Sequence, residues 1–375
     1  GGKRTRTFSR KLRIGYISPD FRLHAAAYFF MPLVRDFDAA SFEVTCYARG
    51  KRDRVTALFR RKNVRWKDIS RLSARDAARL IERDGIDILV DLAGHTQGSG
   101  LPVLARRPAP VQMTAIGYMA TTGLRAVDYF LSDIYCSPWD MGARGFSEKV
   151  LRMPHSHLCY APVLRDMPKS GGEAPFVKNG CITFGSFNNF AKVTDKVLHL
   201  WAKILRAVPR SRLFLKTAVF DAADGREEAL RRLEAAGIDL ARVKTEGHTA
   251  EYLAAYGEVD IALDTFPYPG GGTTCDALYM GVPVVTRYGR RRGSRFGLSL
   301  LKNVGVSELA AADARSYIEK AVALAHDADL LDQLHRTLRA HLAASPVMQA
   351  AHYMEELERF YCTAVERKKE ESDEG

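Results

Sequence analysis

Asp264-Thr265-Phe266-Pro267-Tyr268-Pro269-Gly270-Gly271-Gly272-Thr273-Thr274-Cys275-Asp276 joins an apolar strand to an amphipathic helix through a loop suited to holding phosphate. Glycines let the backbone come close to an anion, and a helix start adds bare amides beside a partial positive charge. Upstream, Val259-Asp260-Ile261-Ala262-Leu263-Asp264 alternates like the end of a buried strand. Downstream, Ala277-Leu278-Tyr279-Met280, then Gly281, then Val282-Pro283-Val284-Val285-Thr286 read as helix, glycine stop and next strand. The whole is one βαβ unit, which predicts a nucleotide-sized hole at the carboxyl edge of its strands.

The same alternation of strand and helix runs outward through the chain. Residues 11–17, 42–47, 86–92, 111–116 and 129–131 read as strands, with a helix beginning near His24 and an arginine-rich amphipathic helix over 73–84. Between 162 and 177 the pattern lapses into Pro, Lys, Gly-Gly, Glu and Ala, as in a linker. Strands resume at 181–186, 212–216 and Val243, with helices over 196–207 and 227–236. A chain of 375 residues exceeds one ordinary core. The expected architecture is therefore α/β with two Rossmann-like lobes. The expected division is an N-terminal lobe over 11–165, a linker over 166–177 and a C-terminal lobe over 178–346. A helix over 347–366 could cross back to the first lobe, and a charged, fraying tail occupies 367–375.

Composition excludes several function classes. With 46% hydrophobic and 27% charged residues the chain is a globular protein, and no apolar run approaches the ~20 residues of a membrane span. The net charge of +12 suits a polyanion. Yet Arg60-Arg61-Lys62, Arg106-Arg107, Arg231-Arg232 and Arg290-Arg291-Arg292 are scattered, without interleaved aromatics, so nucleic acid is not the expected partner. A solvated basic face suited to an anionic donor or an acidic acceptor fits better. Cys46, Cys136, Cys159, Cys181, Cys275 and Cys362 follow no ligand or disulfide spacing, which argues for a reducing, cytoplasmic setting and against zinc. His155 and His157 lack a third ligand at a convincing spacing, so no metal is expected. Gly1-Gly2 ahead of Lys3, Arg4 and Arg6 reads as a scar or a cut from a longer chain.

The residues also carry a family likeness. The segments are Gly15-Tyr16-Ile17-Ser18-Pro19-Asp20-Phe21 with His24, Ile86 through Asp91-Leu92-Ala93-Gly94-His95-Thr96, and Arg107-Pro108-Ala109-Pro110-Val111-Gln112. They continue with Thr121-Thr122-Gly123, Asp128-Tyr129, Phe184-Gly185-Ser186-Phe187-Asn188-Asn189-Phe190-Ala191-Lys192, and the loop from Asp264 to Thr286. In that order and spacing the chain resembles, from about Arg13 to Tyr361, the catalytic region of the O-GlcNAc transferase and Spindly family of protein glycosyltransferases. The resemblance implies the GT-B fold, two lobes facing a central cleft. It implies an inverting, metal-independent enzyme without cofactor that moves a sugar from a nucleotide diphosphate donor to a Ser or Thr hydroxyl of a protein acceptor.

A leaving diphosphate calls for cations and amides. Lys192, at the head of a helix, is placed to put its ammonium there, and the resemblance gives it that role with Asn189 in support. Gly270, Gly271, Gly272, Thr273 and Thr274 are expected to wrap the phosphates, Asp276 to accept the ribose hydroxyls, and Tyr252 to stack on the base or sit as a core aromatic. Arg295 matches an arginine that recurs in the family, whereas Arg290-Arg291-Arg292 reads as a solvated loop. In the first lobe His24 is expected to orient or deprotonate the acceptor hydroxyl, with Asp91 and His95 as the fallback pair and Thr121 and Thr122 near the sugar or acceptor. The family more often has threonines where Gly271 and Gly272 stand, so two side-chain donors are replaced here by bare backbone and the donor is left open: UDP-GlcNAc is the first expected donor, GDP-fucose the second because the Spindly branch shares the Phe184 to Lys192 segment, and UDP-glucose the third. A lipid, polysaccharide or small-molecule acceptor, and a binding module without catalysis, are the other readings.

Overall fold

The computed structural model describes residues 8–142, 145–162, 172–249 and 251–373. The first seven residues, 143–144, 163–171 (which include the first part of the expected linker), Ala250 and the last two residues of the expected tail lie outside the described residues. The chain divides into two compact units, one of 1–164 with 349–375 and one of 165–348.

Among the described residues the first unit is built on seven strands: β1 (Leu12–Ser18), β2 (Phe42–Ala48), β3 (Val64–Asp68), β4 (Ile88–Asp91), β5 (Val111–Thr114), β6 (Tyr129–Asp133) and β7 (Lys149–Met153). They form one sheet in the order β3-β2-β1-β4-β5-β6-β7, and every pair is parallel. Both faces of the central strands are covered, which is why β1, β4 and β5 have such continuous apolar content. The strand order reverses between β1 and β4, so a crevice is expected at their carboxyl ends. β3 and β7 escaped the sequence reading because they are the sheet's edges: Arg65, Lys67, Lys149 and Arg152 interrupt their apolar pattern. The helix expected near His24 runs over Ala27–Arg35, leaving His24 in the preceding turn.

The C-terminal helix, Ala350–Asp373, belongs to this unit. It buries Tyr353, Met354, Leu357, Tyr361, Ala364 and Val365. The Tyr361 hydroxyl meets that of Tyr16 on β1 at 3.1 Å. The residues read as a fraying tail instead continue the helix to Asp373, because their charges pair along it, as in Lys368 with Glu371 at 3.1 Å.

The second unit carries β8 (Thr183–Ser186), β9 (Arg212–Lys216), β10 (Val243–Glu246), β11 (Ile261–Leu263), β12 (Val284–Arg287) and β13 (Ala310–Ala311). Their order is β10-β9-β8-β11-β12-β13, again parallel throughout. The reversal point here is β8 beside β11, the two strands whose following segments hold the Lys192 loop and the glycine loop. Two helices absent from the sequence reading, Ala314–His326 and Ala328–Ala344, complete the layer. The end of the expected linker is a short helix, Pro175–Asn179, started by Pro175 and stopped by a left-handed Gly180. Asp260 fixes that helix by accepting the Phe176 amide at 2.7 Å. Among the described residues, no helix is long and apolar enough to cross a membrane.

Leu357 is fully enclosed in the C-terminal helix. Leu357→Ala is expected to lower the unfolding free energy of the first unit by about 2–5 kcal/mol. Urea denaturation followed by circular dichroism measures it; a loss below about 1 kcal/mol would mean that the helix is not part of that core.

Candidate active site

The glycine loop is organised by one buried carboxylate, Asp264, directly after β11. Its Oδ1 accepts the amides of Thr265 (2.9 Å) and Gly270 (2.7 Å) and Nδ2 of Asn188 (3.2 Å). Its Oδ2 accepts the Thr286 hydroxyl from β12 at 2.7 Å. Burial pushes the Asp264 carboxyl up, while the Gly270 amide, the Thr286 hydroxyl, the Thr265 amide and Lys192 pull it back. A side chain at Gly270 has no room, since a Cβ there would lie 2.3 Å from the Thr273 hydroxyl. The hydroxyl of Thr273 donates to Asn188 Oδ1 at 2.6 Å, and that of Thr274 to the Gly270 carbonyl at 3.2 Å.

From this loop the helix Gly272–Tyr279 departs with Gly271 at its N-cap, no side-chain cap and no acidic residue in its first turn. The sequence placed Gly272 to Asp276 before the helix; they are its first residues, because the glycines themselves enter helical backbone. The amides of 271–274 thus form a helix start of the kind that attracts anions. Asp276 is buried one turn further on.

Lys192 ends the short 3-10 turn Phe190–Lys192 rather than starting a helix. Its Nζ donates to the Pro269 carbonyl at 3.2 Å and lies 3.9 Å from the centre of the Tyr268 ring. Burial lowers its pKa below the ordinary lysine value, and Asp264 opposes that shift. Asn189, the residue expected beside it, is exposed and spends its side chain capping its own turn, accepting the Ala191 amide at 3.0 Å. The loop-facing asparagine is Asn188. Tyr252 is half-buried at the rim of an aromatic cluster: Phe187 stands 5.9 Å from it and 4.3 Å from Tyr256, and the Tyr256 hydroxyl donates to the Thr273 carbonyl at 3.1 Å. Arg295 belongs to the neighbouring loop after β12, where its Nη1 donates to the Gly289 carbonyl at 3.0 Å. The arginine run beside it is not wholly solvated: Arg292 is buried, turned inward by the 3-10 turn Arg292–Ser294.

In the first unit the candidates lie at the end of β4 and on the loops after β1, β4 and β5. His24 Nδ1 accepts the Ala26 amide at 3.2 Å and stands 3.9 Å from Asp20. Because an amide can only donate, the neutral ring carries its proton on Nε2. Burial lowers the His24 pKa, Asp20 opposes that shift, and Arg22 assists it. His95 is the reverse case: its Nε2 meets the Thr122 carbonyl at 3.0 Å, so the ring donates there and Nδ1 keeps its lone pair. Asp91 lies wholly inside, accepting the amides of Ala93 (3.3 Å) and Gly94 (2.7 Å) and the Thr114 hydroxyl (2.9 Å). Its carboxylate shapes the turn that presents His95.

Thr121 and Thr122 are held by Glu148, which the sequence reading missed. Glu148 accepts the Thr121 hydroxyl at 2.7 Å, the Thr122 amide at 2.6 Å and the Thr122 hydroxyl. Burial opposes its ionisation, but those donors prevail and hold the carboxyl below its ordinary value. Glu148 therefore fixes Thr122, whose carbonyl fixes His95. Asn188, Tyr256 and Tyr268 were missed likewise; Asn188 stood in a motif already quoted, and only its pairing with Asp264 distinguishes it from Asn189.

Comparison with known proteins gives the same class of molecule. The model for glycosyl transferase family 41 matches residues 2–161 and 174–357. The Petunia hybrida protein named "Probable UDP-N-acetylglucosamine--peptide N-acetylglucosaminyltransferase SPINDLY" is 41% identical over 362 residues, covering 94% of this chain and 38% of that protein. The corresponding SEC protein of Arabidopsis thaliana is 30% identical, covering 94% and 37%. The chain thus spans well under half the length of these relatives. Among solved structures, a lysine-to-methionine variant of the Thermobaculum terrenum O-GlcNAc transferase superposes with a TM-score of 0.89 at 35% identity, covering 97% of this chain and 69% of that one. HepE of Anabaena, solved with UDP and glucose, shares the fold at a TM-score of 0.62 and 12% identity, covering 94% of this chain and 100% of that one. The α/β, GT-B class expected from the sequence is the class of these neighbours. The chain belongs to glycosyl transferase family 41.

Proposed function

We propose that the chain is the catalytic region of an inverting glycosyltransferase that moves GlcNAc from UDP-GlcNAc to Ser or Thr hydroxyls of a protein. The observation that carries this reading is the pairing of an uncapped helix start at 271–274 with a half-buried ammonium, Lys192, at the reversal point of a parallel sheet. Lys192 Nζ rests on a carbonyl and a ring face, both neutral, so a diphosphate can take their place. A charge in a partly desolvated setting acts more strongly than one in open water on the negative charge that develops as the anomeric C–O bond breaks. Charge stabilisation is thereby assigned to Lys192 and amides, without metal. Tyr252 offers an aromatic face to the base, and Asp276 a carboxylate to the ribose. The names of the SPINDLY and SEC relatives support UDP-N-acetylglucosamine and a peptide as the substrates.

On the acceptor side the tautomers divide the work. His95 Nδ1 has the lone pair that can receive the hydroxyl proton, while His24, protonated on Nε2, can donate to and orient the acceptor.

Mass spectrometry of a Ser/Thr peptide incubated with UDP-GlcNAc, GDP-fucose or UDP-glucose is expected to show GlcNAc transfer from the first, unaffected by EDTA. Lys192→Ala is expected to reduce that transfer by about 10²–10³-fold with the fold intact; transfer from another donor, or full turnover in the variant, would overturn the donor or the site. Since burial depresses the Lys192 pKa, its positive charge is present below that pKa and lost as pH rises through it. In the pH profile of kcat/KM the alkaline limb should therefore fall below the ordinary lysine value of 10.5 and move upward in Lys192→Arg. His95→Gln keeps a donor for the Thr122 carbonyl but has no basic nitrogen, so kcat should drop about 10²–10⁴-fold. An unchanged kcat in His95→Gln would return the role of base to His24.

A further inference from the structure

Away from both loops, the turn after β7 and the C-terminal helix bring together three metal-binding side chains. His352 and Glu356 stand one helical turn apart on the same face of the helix Ala350–Asp373, and His155 follows β7 in the chain. Glu356 Oε1 lies 3.0 Å from His352 Nε2 and 3.9 Å from His155 Nε2. The two imidazole centroids are 5.6 Å apart, and one ligand atom from each of the three residues falls within 4.8 Å of the others. We propose that His155, His352 and Glu356 form a zinc site.

The chemistry of the donor set selects the ion. Two imidazole nitrogens with one carboxylate oxygen suit zinc, whereas calcium and magnesium favour oxygen alone. Tetrahedral ligands about 2.0–2.1 Å from zinc lie roughly 3.3–3.5 Å from one another, so small side-chain rotations close the site. The Glu356 side chain is 9% exposed and the imidazoles of His155 and His352 are 40% and 49% exposed. The carboxylate thus forms the floor, and the fourth position opens to water.

The two segments are also held in place independently of any ion. Tyr353, next to His352, donates its hydroxyl to the His157 carbonyl at 3.0 Å. His157 in turn is buried against Asp133 at 2.6 Å. Pre-positioned ligands lower the entropy lost on binding. A second cluster, Asp133, Cys136 and His157, is less apt: Asp133 already accepts the amides of Tyr135, Cys136 and His157 as well as the His157 ring. The zinc would tie the turn after β7 to the helix that closes the first unit. The sequence reading saw His155 without its partners because the other two ligands come from the far end of the chain.

Calorimetric titration of zinc chloride into the chelator-dialysed chain is the test, with cobalt(II) absorption as the second readout. One equivalent is expected to bind, to raise the melting temperature, and, as cobalt, to give tetrahedral visible bands. His155→Ala, His352→Ala and Glu356→Gln should each weaken that equivalent by more than the roughly 10–100-fold that loss of an outer-shell partner costs. His155 and His352 are partly exposed, so their variants are expected to fold, which circular dichroism checks. No uptake by the wild type would leave a histidine–carboxylate ion pair only, and equal uptake in all three variants would place the metal elsewhere; either result overturns the proposal.

Discussion

A buried aspartate at the end of one central strand governs the shape of each unit's loop edge. In the second unit Asp264 follows β11, accepts two amides of its own loop and takes a threonine hydroxyl from the next strand, β12. In the first unit Asp91 ends β4, accepts two amides of its own loop and takes a threonine hydroxyl from the next strand, β5. The two strands occupy the same place in their sheets, beside the first strand of each unit where the order reverses. Hydrogen bonds to a charged group are worth about 1.5–3 kcal/mol each, and removing the acceptor would strand several buried donors at once. Such a carboxylate ties the loop at the place where a ligand can reach bare backbone.

What the loops carry then differs. The Asp264 loop presents amides and a neighbouring ammonium, so its electrostatics are positive and directed at an anion. The Asp91 loop presents an imidazole whose orientation is set through Thr122 by Glu148, so it suits proton handling. One structural device thus supports two kinds of chemistry, and the division follows from the residues hung on it rather than from the fold.

The parts of this account that depend on local pattern were legible in the sequence. Buried parallel strands announce themselves as apolar runs, and three consecutive glycines before an apolar helix leave few alternatives to a tight, anion-facing turn. Edge strands β3 and β7 were not legible, since half of each faces solvent and the alternation dissolves into charges. Pairings distant in sequence were equally hidden. Nothing near Glu148 marks it as the partner of Thr121 and Thr122, and nothing near Asn188 ranks it above Asn189; contacts between segments far apart in the chain decide both. Arg292 was misjudged for a similar reason, because a run of three arginines suggests solvent while a single 3-10 turn is enough to fold one of them inward. Histidine tautomers lie beyond sequence altogether, being fixed by which backbone group each ring nitrogen meets.

The central claim is that Asp264, the glycine loop and Lys192 form a seat for a diphosphate. A crystal structure of the chain with UDP tests it most directly. The account predicts phosphate oxygens on the amides of 271–274, with Lys192 Nζ moved from the Pro269 carbonyl to a β-phosphate oxygen. A diphosphate bound elsewhere, with Lys192 still on that carbonyl, would contradict it.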